Sequence, residues 1–119
     1  MKINNFRDLE VWQIAMDMVG VIYDIIEVLP DSERFALANQ LKRPAVSVPS
    51  NIAEGSARNG TKELIQFLHI ARGSLAEVET QLEIAKRRKF CSEILYNKAI
   101  EYVRRVGQMT ARLTQSLQT

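Results

Sequence analysis

Cysteine and histidine each occur once in these 119 residues, proline three times and glycine five times. Each scarcity excludes something. The lone thiol, Cys91, cannot close an internal disulfide, and it fits a reducing compartment. With only Cys91 and His69 available, a zinc site lacks ligands. So few glycines and prolines leave little material for turns, which argues against a many-stranded fold. No apolar run approaches the ~20 residues needed to span a bilayer. Neither sign of charge dominates: the net charge is +2 with 25% charged residues, which neither requires nor excludes nucleic acid. Met1-Lys2-Ile3-Asn4-Asn5 lacks the apolar run of a signal peptide, so a cytoplasmic location is expected. The Asn59-Gly60-Thr61 sequon is then incidental.

What is present is helical spacing, 46% apolar residues and enough chain for one domain, expected over 1–119. The first helix is expected from about Asp8 to Leu29. Its polar residues, Glu10, Gln13, Asp17, Gly20, Asp24 and Glu27, recur at 3, 4, 3, 4 and 3, which draws one narrow stripe. Nearly everything else on it is apolar, wider than the roughly three-sevenths of circumference that a bundle helix buries. Leaving several such side chains in water is unfavourable, at roughly 1.5–3 kcal/mol each. A second partner surface is therefore expected.

Pro30-Asp31-Ser32 ends that helix, with Asp31 or Ser32 expected to cap the next. The second helix is expected from near Glu33, with Leu37, Leu41, Ala45, Val48 and Ile52 on one face. Pro44 and Pro49 interrupt it. They remove the hydrogen bonds to the carbonyls of Gln40 and Ala45, so a kink is expected, with Ser47 and Ser50 bonding the freed carbonyls. Gly55 begins the helix's end, and Arg58 to Gly60 make the turn, with Thr61 expected as a cap.

The third helix, about 62–88, carries Leu64, Leu68, Ala71, Leu75, Val78, Leu82 and Ala85 at 4, 3, 4, 3, 4 and 3, a bundle seam. Ala71, Gly73 and Ser74 are small enough to let a neighbouring helix come close. Lys86, Arg87, Arg88 and Lys89 suit the negative end of its dipole. Ser92 is expected to cap the fourth helix, with Glu93 in its first turn. Tyr96, Ala99, Val103, Val106, Thr110, Leu113 and Leu117 form its seam. Four helices with short loops predict an all-α, up-down-up-down antiparallel four-helix bundle with a proline-kinked second helix.

No catalytic constellation emerges. A di-iron bundle needs Glu-x-x-His pairs, and His69 has Gln66 three residues before it. Cys91 has no histidine in its sequence neighbourhood to activate it. Asn59-Gly60-Thr61-Lys62 lacks the spacing and the preceding strand of a phosphate loop. Glu77, Glu79 and Glu83 read as solvated surface charge on the third helix. No cofactor, metal or enzymatic activity is expected.

The basic residues offer a binding surface instead. Lys98, Arg105 and Arg112 are seven apart and form a line along the fourth helix, off its apolar seam. Arg104 and the cluster Arg87, Arg88 and Lys89 extend it. Such a row can hold a phosphate backbone by charge alone, and an oligomer would multiply its field. The competing reading is a solvated face balanced by Glu93 and Glu101.

Several blocks together resemble a known family. Leu9-Glu10-Val11-Trp12 opens the first helix. Gln40, Arg43 and Ala45-Val46-Ser47-Val48-Pro49-Ser50-Asn51-Ile52-Ala53-Glu54-Gly55 fill the second. Arg58, Phe67-Leu68, Ala71, Gly73-Ser74 and Glu77-Val78-Glu79-Thr80-Gln81-Leu82 follow. Over about residues 6–90 the chain resembles the 23S rRNA-intervening-sequence proteins, bacterial four-helix bundles. Pro49, Asn51, Glu54 and Gly55 belong to the signature block, taken as a structural polar cluster rather than a catalytic one. The chain departs at Pro44, where the family usually has alanine.

The resemblance implies a ring-shaped homopentamer without enzymatic activity. It also implies an association with RNA or DNA, since some members are encoded inside 23S rRNA genes. A related branch, the accessory protein of diversity-generating retroelements, binds a reverse transcriptase and nucleic acid. The alternative it implies is thus a protein-interaction scaffold, an accessory subunit for a reverse transcriptase or another partner, without direct nucleic-acid binding.

Overall fold

The computed structural model describes residues 5–118. Met1–Asn4, on which the expectation of no leader partly rests, lie outside the described residues, as does Thr119. Four α-helices and no strand form among the described residues: α1 (Glu10–Val28), α2 (Leu37–Ala57), α3 (Thr61–Arg87) and α4 (Glu93–Leu117). Single 3₁₀ turns, Phe6–Asp8 and Asp31–Glu33, precede α1 and α2. Helix α1 packs against α2 and α4, and α3 packs against the same two, so the helices surround one elongated core.

The heptad-like seams account for that core. Leu37, Leu41, Ala45, Val48 and Ile52 of α2 are all buried, as are all seven seam residues of α3. On α4, Tyr96, Ala99, Val103, Val106 and Thr110 are buried, while Leu113 and Leu117 are partly so. Met18, Ile22 and Ile25 of α1 are fully enclosed. The buried hydroxyls of Thr110 and Thr114 donate to the carbonyls of Val106 and Thr110, so neither is left without a partner in the core.

The helix ends partly differ from expectation. Ser92 caps α4 as expected, its Oγ accepting from the Leu95 N–H at 3.1 Å. Neither Asp31 nor Ser32 caps α2, which starts at Leu37 rather than near Glu33. After Pro30 the chain closes a separate 3₁₀ turn, with Glu33 N–H on the Pro30 carbonyl at 2.8 Å. Ala36, with φ −122° and ψ −98°, then interrupts the helix path. Thr61 likewise is not a cap. It is the first residue of α3, and the extended Gly60 before it has no side chain to offer.

At the other end of α3, Phe90 N–H bonds the Ala85 carbonyl at 2.8 Å and Lys89 N–H the Lys86 carbonyl at 3.0 Å. This is a Schellman closure, with Lys89 in the left-handed position (φ 59°) that glycine usually holds.

Pro44 and Pro49 both lie buried inside a continuous α2, so residues 44–50 are helix and not loop. The serines do not bond the freed carbonyls. Ser50 Oγ donates to Val46 at 2.8 Å, and Ser47 Oγ meets Ser74 Oγ on α3 at 2.9 Å. A serine hydroxyl back-bonds three or four residues upstream. The carbonyls of Ala45 and Gln40 lie five and seven residues back, out of that reach.

Candidate nucleic-acid interface

The signature segment of α2 is a packing device. Pro49 is buried. Asn51 Nδ2 donates to both the carbonyl and the Oγ of Ser47, each at 2.8 Å, and Ser47 carries the link across to Ser74. Glu54 does not join that group. It pairs with Arg58 at 2.7 Å, and the Arg58 guanidinium lies over the Phe67 ring at 5.2 Å. Gly55 marks the close approach of α2 to α3, since a Cβ there would sit 2.7 Å from Phe67 Cβ and 3.1 Å from Leu64 Cδ1. Ser74 works as the small contact residue that its size implied. Gly73 does not: it is exposed, with nothing within 4 Å of where its Cβ would be.

The basic residues divide into two groups. Lys98, Arg105 and Arg112 are exposed on one line of α4, with Arg104 beside them, and none makes an ion pair among the described residues. At 1.5 Å rise per residue the line runs about 21 Å. Arg104 also borders a shallow α3–α4 groove with Arg72, Glu79 and Gln108. At the end of α3, Arg87 is committed to Glu83 at 3.0 Å, Arg88 is the helix C-cap and Lys89 makes the left-handed turn. The neighbouring helix α1 carries exposed Glu10, Asp17 and Asp24 at the same sevenfold spacing as the basic line. The row on α4 thus has an acidic counterpart on an adjacent helix.

Glu83 is more than the solvated charge its spacing implied. Its carboxylate accepts from Arg87 Nε and from the Tyr96 hydroxyl, both at 3.0 Å, tying α3 to α4. The Arg87 guanidinium, and after it the Tyr96 hydroxyl, holds the Glu83 carboxyl below its ordinary range. Burial, and then the Glu83 carboxylate, pushes the Tyr96 phenol up. Partial burial pushes the Cys91 thiol up, away from nucleophilic thiolate. Among the described residues no group of three or more His, Cys, Asp or Glu is placed to hold a metal ion. No described helix is long and apolar enough to cross a membrane.

Part of the apolar face of α1 borders an open groove on the side of α2. Phe6, Trp12, Met16 and Val19 face Val46, Pro49 and Ala53 across a groove of about 380 Å³. Toward the start of α2 a second hollow of about 670 Å³ is lined by Tyr23, Phe35, Asn39, Gln40, Lys42 and Arg43 among others. Sequence reasoning missed this hollow. Its residues come from two helices and the turn between them, and no periodicity links them.

The fold and these sites bear on a comparison with known proteins. A profile described as 23S rRNA-intervening sequence protein matches residues 7–112. The chain belongs to that family. A solved structure similar to it is a protein of unknown function from the S23 ribosomal protein family of Bacteroides thetaiotaomicron VPI-5482. The two align with a TM-score of 0.81 at 19% identity, covering 88% of this chain and 95% of that one. At that identity the likeness speaks for the fold alone. No match was found among curated proteins. The profile spans α1 to most of α4, and so includes the signature segment, Lys98, Arg105 and Arg112. The span matched to the 23S rRNA-intervening sequence protein family therefore contains the whole basic row and the whole signature segment.

Proposed function

We propose that this chain is a non-enzymatic, cytoplasmic module that assembles as a homopentameric ring and contacts RNA or DNA through repeated basic rows. The observation that carries the nucleic-acid part is the line Lys98, Arg105 and Arg112, exposed on one face of α4 and free of ion pairs among the described residues. The groove between α1 and α2 supports assembly, because it leaves Met16 45% and Val46 41% exposed beside Trp12 and Val19. In this reading the helices alternate up, down, up and down, and the two prolines bend α2 so that neighbouring subunits meet.

A salt titration tests the interface. Binding to RNA or DNA at low salt should weaken with rising salt, with a log–log slope of about −0.7 to −0.9 per neutralised phosphate. Replacing Lys98, Arg105 and Arg112 with glutamate should weaken binding across sequences and flatten the slope by roughly three. Absence of binding at low salt, or binding indifferent to salt, overturns the proposal.

The apolar groove also favours a second reading, in which the chain is a scaffold for a protein partner such as a reverse transcriptase. Partner capture that survives Arg105→Glu with Arg112→Glu would select it.

A further inference from the structure

The hollow at the start of α2 combines aromatic rings, cations and side-chain amides. Tyr23 is 40% exposed and Phe35 84% exposed, and both line it. Lys42 and Arg43 line it, while no carboxylate does. Neither cation makes an ion pair among the described residues. Asn39 and Gln40 add amide side chains that both donate and accept. The Lys42 ammonium lies over the Tyr23 ring, 5.6 Å from its centroid, and Arg34 lies over Phe35 at 5.9 Å, so a cation covers one face of each ring and leaves the other for a base.

We infer that this hollow binds unpaired nucleotides of a single strand. A flat base stacks on Phe35 or Tyr23, its polar edge meets the amides of Asn39 and Gln40, and its phosphate is drawn to Lys42 and Arg43. Aromatic stacking platforms with neighbouring cations are how single strands are held without a duplex. The α4 row has only the partly buried Tyr102 beside it and no freely exposed ring comparable to Phe35. The inference rests on the nucleic-acid reading of the chain and adds to it a second surface with a preference of its own. An 84% exposed phenylalanine has almost no packing to lose, so it can be replaced without endangering the fold.

The test measures anisotropy of the full chain with a fluorescein-labelled oligouridine of about 12 nucleotides and with a duplex of the same length. Wild type should bind the single strand. Phe35→Ala and Tyr23→Leu should each weaken single-strand binding roughly 5- to 150-fold, the equivalent of losing one stacked base, and leave duplex binding unchanged. Phe35→Leu, apolar but without a flat ring, should behave like Phe35→Ala.

If Phe35→Leu and Phe35→Ala keep wild-type affinity for the single strand, the hollow is not a stacking site, although the α4 row stands. If those variants instead change only the sedimenting mass, the face is a contact between copies and the inference fails. If wild type binds neither probe at low salt, the nucleic-acid reading falls and this inference with it.

Discussion

Gly20 and Gly55 both sit inside helices, but their surroundings give them opposite meanings. Nothing lies within 4 Å of where a Gly20 Cβ would be, and the residue is exposed on the polar stripe of α1. Gly20→Ala should therefore stabilise the chain by up to about 1 kcal/mol through helix propensity alone. At Gly55 the same methyl would land 2.7 Å from Phe67 Cβ, an atom fixed to the α3 backbone. Gly55→Ala should push α2 from α3 and cost about 1–3 kcal/mol in spite of its better propensity. Urea midpoints of the two variants should move in opposite directions. The sequence puts Gly20 on a polar stripe, but only the partner helix shows how closely Gly55 is approached. Lys89 is a similar case: its left-handed φ of 59° is set by the Schellman closure of α3 and not by anything in its side chain.

Between elements, polar links fix how helices sit on one another. Ser47, Ser74 and Asn51 join α2 to α3, and Glu83, Tyr96 and Arg87 join α3 to α4. Glu83 makes the second link pH-dependent. Its folded carboxyl titrates below the ordinary 4.5, so the unfolded chain takes up the proton first as pH falls. The contribution is fully present above about pH 4.5 and is lost as pH drops through the lower, folded value. Thermal melts of wild type and Glu83→Gln should therefore differ at neutral pH and converge in acid. A gap that stays constant across this range would mean that the carboxylate charge is irrelevant to the α3–α4 link. The seam position of Tyr96 was legible in the sequence. Its hydroxyl partner was not, because Glu83 lies thirteen residues away across a helix end.

For the whole molecule, the proposed ring would rest on the apolar surface that the core leaves over. The breadth of α1's apolar face was readable as a surplus, and in the fold that surplus appears as the groove against Val46, Pro49 and Ala53. Sedimentation at micromolar concentration should give a multiple of the chain mass. Met16→Glu, which puts a charge into the groove at a residue 45% exposed in the single chain, should release monomers with unchanged helicity. A stable wild-type monomer would sink the ring. Assembly also bears on the interface, since repeating the α4 row would multiply a field that one chain of net charge +2 scarcely produces.

The sequence by itself determined the number of helices, their buried faces and the family, because spacing of 3.6 residues per turn and a contiguous signature are local properties of the chain. It also fixed the line of Lys98, Arg105 and Arg112, whose alignment follows from helix geometry alone. The tertiary structure decided which polar groups meet. It joined Ser47 to Ser74 and Glu83 to Tyr96, set an acidic row of α1 on the helix next to the basic one, and gathered Tyr23, Phe35, Lys42 and Arg43 around one hollow. Such contacts depend on how helices rotate and approach one another, which is set by the volumes of side chains far apart in sequence.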